Sequence, residues 1–361
     1  MRSMRTGLGG HPAPPGSPDE GVPWHYGDPF AEQRRLAAGT ASVNLSHRGV
    51  ATVTGADRLT WLHDLTTQHV LELSPGTSST ALILSPHGHV EHELHLVDDG
   101  ATVWITCEPG TVGALVDYLN SMRFMRRVEV ADVSEDFGVI WESTRETDPQ
   151  HPTWLIAPDF AGVGVTDAGS GPGGDSSRYV TSRPAHLIGR EVIVPRAEIA
   201  SRLGEDPAGV WALEALRVAA CVPRLAHETD HRTIPHEVGW IGPAVHLAKG
   251  CYRGQETVAR VHNLGQPPRR LVLLHVDGSD NRLPVHGDPV LLGDREIGWV
   301  ATGVQHHELG PIATAVIKRT VPVDAELTVR TSEGDVAAAQ EPITTGPPEQ
   351  SARAICFGDR P

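Results

Sequence analysis

Lys249-Gly250-Cys251-Tyr252-Arg253-Gly254-Gln255-Glu256 places a thiol, two cations, an amide and a carboxylate within eight consecutive residues. A cysteine is a useful nucleophile or ligand only as the thiolate, and neighbouring cations lower the pKa of a partly exposed thiol. Lys249 and Arg253 therefore fit an activated Cys251. Gly250 and Gly254 fit unusual backbone angles or the close approach of another group. No packed core needs this combination. Cys251 and Lys249 are expected to carry chemistry, with Gly250, Tyr252, Gly254, Gln255 and Glu256 as their frame. The plain alternative for Cys251 is a buried structural thiol in a tight turn. Cys107, Cys221 and Cys356 are widely separated and form no CxxC pair, so small buried side chains in a reducing cytoplasm are expected.

Further candidates lie upstream. Glu237 sits in Arg232-Thr233-Ile234-Pro235-His236-Glu237-Val238-Gly239, a turn bounded by Pro and Gly whose restricted backbone aims a carboxylate. On its own such a residue is more often a solvated turn glutamate. His87, His89, His92 and His95 invite a metal reading. On a strand His89 and His95 would share a face with His92 opposite, so three ligands do not converge, and no metal is expected.

These residues need elements to hold them. The 361 residues suit two or three packed units, and 39% hydrophobic with 21% charged residues describes a globular chain. A formal charge of -15 argues against a nucleic-acid footprint. No apolar run reaches the roughly 20 residues a membrane span needs. Residues 1–22, rich in Gly and Pro beyond Arg5, are expected as a loose tail with no secretory h-region, and residues 345–361 as another. Strands are predicted at Val50–Thr54, Thr80–Leu84, Thr102–Thr106, Phe137–Trp141 and Glu191–Pro195. Helices are predicted from Asp57, at Val112–Met122 from its apolar stripe, at Ile199–Leu203 and at Ala208–Cys221. Thr166–Arg178 reads as a surface loop. Beyond Pro267-Pro268, six short strands punctuated by glycines between Leu271 and Ala339 predict a small all-β barrel or sandwich. The fold class is α+β: a region over 23–266 and a C-terminal β-barrel over 267–344.

The eight-residue motif resembles the K-G-C-[FY]-x-G-Q-E signature of the YgfZ-type folate-binding proteins, relatives of the glycine-cleavage T-protein. Ala215-Leu216-Arg217, Pro223, Asp230 and Arg232–Glu237 resemble, in order, the superfamily's A-L-R-x-E-A-G-x-P helix and its D-x-R-T-I-P-x-E-x-G segment, with Ala219-Ala220-Cys221 replacing E-A-G. Asn44–Gly49 is similar to D-V-S-H-x-G, Val53–Thr67 to V-x-G-x-D-A-x-x-F-L-x-x-L-T-T, and Gly189–Pro195 to the G-x-E-x-x-x-P strand. The resemblance implies a T-protein-like folate-binding body and a pocket for tetrahydrofolate or a derivative. Glu191, Glu237 and Arg217 would be its cofactor-binding residues. A carboxylate at Glu191 suits a bidentate pair with a pterin's 2-amino and ring N–H groups, against the plain alternative of an edge-strand charge. It also implies assistance to iron–sulfur enzymes, with iron–sulfur client or assembly proteins as partners and Cys251 as a redox or ligand-handling thiol. Gly88-His89-Val90-Glu91-His92-Glu93-Leu94 departs from the transferase G-x-x-x-D-D-L strand, placing His92 or Glu93 where an Asp would orient the folate nitrogen. Leu213 stands at the helix position of a folate-contacting Arg. Both weigh against the alternative of a folate-dependent aminomethyl- or methyltransferase; a non-catalytic folate-binding regulatory module is the other alternative.

Overall fold

A computed structural model describes residues 9–161, 183–279 and 282–343. The chain opens with strands β1 (His11–Pro12) and β2 (Pro23–His25), helix α1 (Pro29–Ala37), β3 (Ser42–Asn44), β4 (Gly49–Thr54) and α2 (Arg58–Leu65). A meander follows: β5 (Ser78–Leu84), β6 (Val90–Asp98) and β7 (Thr102–Cys107), then α3 (Val112–Ser121), β8 (Glu129–Asp132) and β9 (Phe137–Glu142). Next come β10 (Thr153–Leu155), α4 (Pro158–Ala161), β11 (Arg190–Pro195), α5 (Ile199–Leu203), α6 (Val210–Ala219) and α7 (Gln255–Leu264). The last strands are β12 (Arg269–Val276), β13 (Pro289–Leu292), β14 (Arg295–His306), β15 (Gly310–Lys318), β16 (Glu326–Thr331) and β17 (Gly334–Pro342).

Three sheets matter for the site. A five-stranded sheet runs β5-β6-β7-β4-β8, a four-stranded sheet runs β10-β11-β9-β3, and β12-β15-β14-β13-β16-β17 close into a barrel. The period of two along β6 explains its placement. Leu94 and Leu96 join the core that buries Leu115 and Leu119 of α3, whereas Val97 joins the core shared with the four-stranded sheet. Glu93 and His95 fall on the Val97 side. Helix α6 is buried along most of its length, including Glu214 and Arg217, and Trp211 stacks on Trp24 at 6.0 Å. It ends in a Schellman motif: Val222 N–H bonds to Arg217 O at 3.1 Å and Cys221 N–H to Val218 O at 3.0 Å. Cys221 occupies the left-handed position with φ 53°.

Two expectations need correction. Residues 9–22 are not a loose tail: β1 pairs with β2, Val22 is buried, and the Asp19 carboxylate is buried against Arg224 at 3.0 Å. A Gly/Pro-rich stretch has little apolar area to offer, and an ion pair to a buried guanidinium supplies the anchor instead. The motif also starts a helix that the sequence reading lacks. Gly254, in the left-handed region at φ 80°, caps α7, whose buried face is small and centred on Val258. Thr166–Arg178, residues 1–8, the tail at 345–361 and Cys356 lie outside the described residues.

Candidate ligand cavity and thiol loop

The facing surfaces of the two open sheets, closed by α6, enclose a cavity of about 60 Å³. Its walls are apolar and aromatic, including Trp141, Trp154, Phe160 and Leu213. Its floor is charged. Four carboxylates (Glu93, Glu108, Glu191 and Glu214) and three guanidiniums (Arg48, Arg217 and Arg224) line it, together with His47 and His95.

Each polar group is placed by its element. Glu191 on β11 lies opposite Trp154 on β10 and Trp141 on β9. Its Oε2 accepts from Thr106 Oγ1 at 2.5 Å and lies 3.0 Å from His95 Nδ1, while Oε1 is 3.5 Å from Arg48 Nε. Burial would raise its pKa, but the Arg48 charge and then His95 hold it down at about 2. His95 lies flat on Trp154, with ring centroids 3.7 Å apart and planes 1° from parallel. Its Nε2 is 3.8 Å from Glu93. Burial opposes the charge on this imidazole, yet the Glu191 charge and hydrogen bond, with help from Glu93, raise its pKa to about 8. Glu93 accepts the Leu225 backbone N–H at 3.1 Å. The strand therefore points Glu93, not His92, into the cavity; His92 lies toward Tyr118 of α3 at 6.1 Å.

Behind the floor is a buried ion network. Arg224 contacts Glu108 at 2.7 Å, Glu214 at 2.9 Å and Asp19 at 3.0 Å. Arg48 donates to Glu108 at 2.9 Å. Burial opposes the charge on Glu108 and Asp19, but neighbouring arginines hold both well below the usual carboxylate range. Arg217, expected as a folate contact, lines the cavity but is engaged with Glu214 at 2.8 Å, Glu228 at 3.0 Å and the barrel's Thr302 at 3.0 Å. Such networks cost desolvation energy, so stability alone gives little reason for one. Arg48 Nε and Trp141 Nε1 are buried without a hydrogen-bond partner among the described residues. The lining thus sets buried donors and carboxylates beside aromatic faces, with Arg48 Nε 3.5 Å from Glu191 Oε1.

Glu237 lies elsewhere. It is buried, accepts the Ile234 N–H at 3.1 Å, and takes two bonds from Arg269, the first residue of the barrel, each at 2.8 Å. It is not among the cavity-lining residues. A carboxylate in a turn before a barrel entry is a strut here because Arg269 supplies a bidentate partner.

The thiol loop is a separate surface feature. Cys251 is exposed, and it does not line the cavity. Lys249 turns away from it: its buried ammonium donates to the His63 and Thr66 carbonyls at the end of α2 and lies 5.2 Å from the Tyr252 ring. It thus satisfies orphan carbonyls of a helix C-terminus. Burial lowers its pKa to about 8. Arg253 pairs with Glu91 at 3.2 Å. Gln255 reaches the Lys249 and Gly250 carbonyls at 3.4 Å, closing the loop, and Glu256 is exposed in the first turn of α7. Gly254 is required by contact: a Cβ would meet Ser85 O at 2.6 Å and Gly88 Cα at 2.9 Å. The loop is thereby seated on the hairpin that leads into β6.

Sequence reading missed Trp154, Glu108, Glu214, Arg224 and Asp19 as parts of this assembly. The available signal was Glu214 and Arg217 on the apolar face of α6, and His95 on the inward face of β6. Among the described residues, no group of His, Cys, Asp and Glu could hold a metal ion, and no helix is long and apolar enough to cross a membrane.

Residues 269–342 match the glycine cleavage T-protein C-terminal barrel domain. Over 337 residues the chain is 25% identical to a putative chloroplastic transferase of Arabidopsis thaliana, covering 84% of this chain and 73% of that protein. It is 23% identical over 302 residues to a mitochondrial iron–sulfur cluster assembly factor IBA57 homolog of Aspergillus clavatus, covering 75% of this chain and 65% of the relative. The glycine cleavage system aminomethyltransferase T of Bartonella henselae has the same fold, with a TM-score of 0.69, 17% identity, and coverage of 92% of this chain and 93% of that one. A T-protein-like fold ending in a closed barrel, with these relatives, supports a place for the chain in the T-protein superfamily.

Proposed function

We propose that this protein binds a reduced folate in the cavity between its two open sheets and assists the assembly or repair of iron–sulfur enzymes through Cys251. The observation that carries the reading is the pairing of an aromatic-walled, acid-floored cavity with a separate exposed thiol on one scaffold. Glu191 and Glu93 would take the donor edge of a pterin, Trp154 and Trp141 its flanks, and tetrahydrofolate would supply a one-carbon carrier or reducing ring. An adjoining depression shares Thr80 and Ile156 with the cavity and adds Ser78, Ser79, Thr147 and Arg145. Its hydroxyls and Arg145 would hold the acidic tail of a folate, with Asp159 on the same wall opposing it.

Similarity to the IBA57 homolog supports the iron–sulfur role. The aminomethyltransferase alternative is disfavoured because Glu93 replaces the transferase Asp and is held by the Leu225 N–H. A longer side chain fixed in this way alters any near-attack geometry. The exposed loop leaves Cys251 accessible to a client or assembly protein, with Lys249 shaping the loop rather than touching the sulfur. The test is complementation with Cys251→Ser in cells lacking the native protein. Loss of iron–sulfur enzyme activity, with the variant present at wild-type level, is expected. Full rescue would remove the thiol from the function.

A further inference from the structure

His95 is held as a ligand is held. One face lies on Trp154 at 3.7 Å and 1°, Nδ1 meets Glu191 at 3.0 Å, and Nε2 faces Glu93 at 3.8 Å. A flat ring stacked on an indole, with an N–H edge between two buried carboxylates, is the arrangement expected for a bound heteroaromatic cation. Its charge also completes the floor. Arg217 and Arg224 are shared with Glu228 and Asp19 behind the floor, so Glu93 and Glu191 keep His95 as their nearest cationic partner beside Arg48. Glu191 Oε2 is thereby occupied, held by both Thr106 and His95.

We propose that His95 occupies the ring seat of this cavity, and that a planar, N–H-rich heteroaromatic ligand binds by displacing the imidazole from between Trp154 and Glu191. The side chain is a built-in competitor that sets the specificity of the seat. A ring must offer donors at least as good as an imidazolium's and comparable stacking, which excludes purely apolar aromatics. The proposal rests on the folate reading for the identity of the natural ring, but the seat itself is defined by this chain's residues alone. Displacement has a thermodynamic consequence: a seat free only part of the time weakens apparent affinity by that fraction.

The test uses the full chain as wild type, His95→Ala and His95→Val, with imidazole, 2-aminobenzimidazole, toluene and 5-formyltetrahydrofolate as probes. In thermal melts, imidazole and 2-aminobenzimidazole are expected to stabilise His95→Ala and leave the wild type nearly unchanged, while toluene stabilises neither. By titration, 2-aminobenzimidazole should bind His95→Ala about tenfold or more tighter than wild type, the gain for a seat otherwise free less than about a tenth of the time. If His95→Ala does not fold, His95→Val, which suits a strand, carries the same comparison. Equal responses of wild type and a folded variant to the two ring probes would overturn the proposal. So would preferential rescue by toluene. The folate probe separates the two claims. Ring-probe rescue without folate binding to any form retires the folate reading and leaves the seat; folate binding that is equal in wild type and His95→Val retires the displacement and leaves the folate reading.

Discussion

At the scale of single residues, the cavity turns on His95. Burial alone would keep its imidazole neutral, and Glu191, Glu93 and the opposing charge of Arg48 decide the outcome at a pKa of about 8. A pKa raised in the folded state adds stability that is complete below the unfolded value of 6.5 and is lost as pH rises through about 8. At about 1.4 kcal/mol per unit, the contribution is on the order of 2 kcal/mol. Urea unfolding of the wild type and His95→Val between pH 6 and 9 is expected to show a difference that shrinks with rising pH; a constant difference would contradict a charged His95. The sequence showed His95 only as one of a histidine run. What made it special is Trp154, fifty-nine positions later, brought opposite by the pairing of β10 with β11. The glycine-framed loop that carries Cys251 was legible in the sequence. The use of Lys249 was not, because the carbonyls it caps belong to α2.

At the scale of elements, the strands and helices were largely readable because their apolar periods agree with their caps and breaks. Strand β6 is missing from the predicted strands because charged residues interrupt its apolar pattern: Glu93 and His95 line the cavity, and the exposed Glu91 pairs with Arg253 of the thiol loop. Helix α6 shows why a glycine stands at the end of the corresponding superfamily motif: its Schellman turn requires a left-handed residue, and here that residue is Cys221 at φ 53°. Burial raises the pKa of this thiol to about 12, so it is an inert thiol at neutral pH. Cys221→Val is a small change in volume but places a β-branched side chain at positive φ. It is expected to destabilise the protein by about 1–3 kcal/mol in chemical denaturation, a cost of left-handed strain rather than packing. An effect below about 0.5 kcal/mol, as at an unstrained surface site, would show that the turn relaxes.

At the scale of the whole molecule, the barrel is fastened to the body by ion pairs and hydrogen bonds as well as by apolar packing of Leu271, Leu273 and Ile312 into the main core. Arg269 joins Asp230 at 2.6 Å and the buried Glu237 at 2.8 Å, and Glu228 accepts from Thr302 and Thr314 of the barrel at 2.8 and 2.7 Å. Arg269→Ala leaves Glu237 buried without its cation, so a loss of roughly 3 kcal/mol is expected. Asp230→Ala, at the more exposed partner, should cost less; the reverse order would contradict the strut role of Glu237. The barrel was legible from six regularly spaced strands, whereas the convergence of Glu191, His95, Glu93 and Trp154 required two sheets to face each other. No single segment carries that information. The central claim, a reduced folate in this cavity, is tested most directly by titrating 5-formyltetrahydrofolate into the wild type and Glu191→Ala while following tryptophan fluorescence. Saturable one-to-one binding is expected, weakened about tenfold or more by loss of a charged hydrogen-bond partner. No saturable binding by either the wild type or His95→Val, or equal affinity in Glu191→Ala, would contradict it.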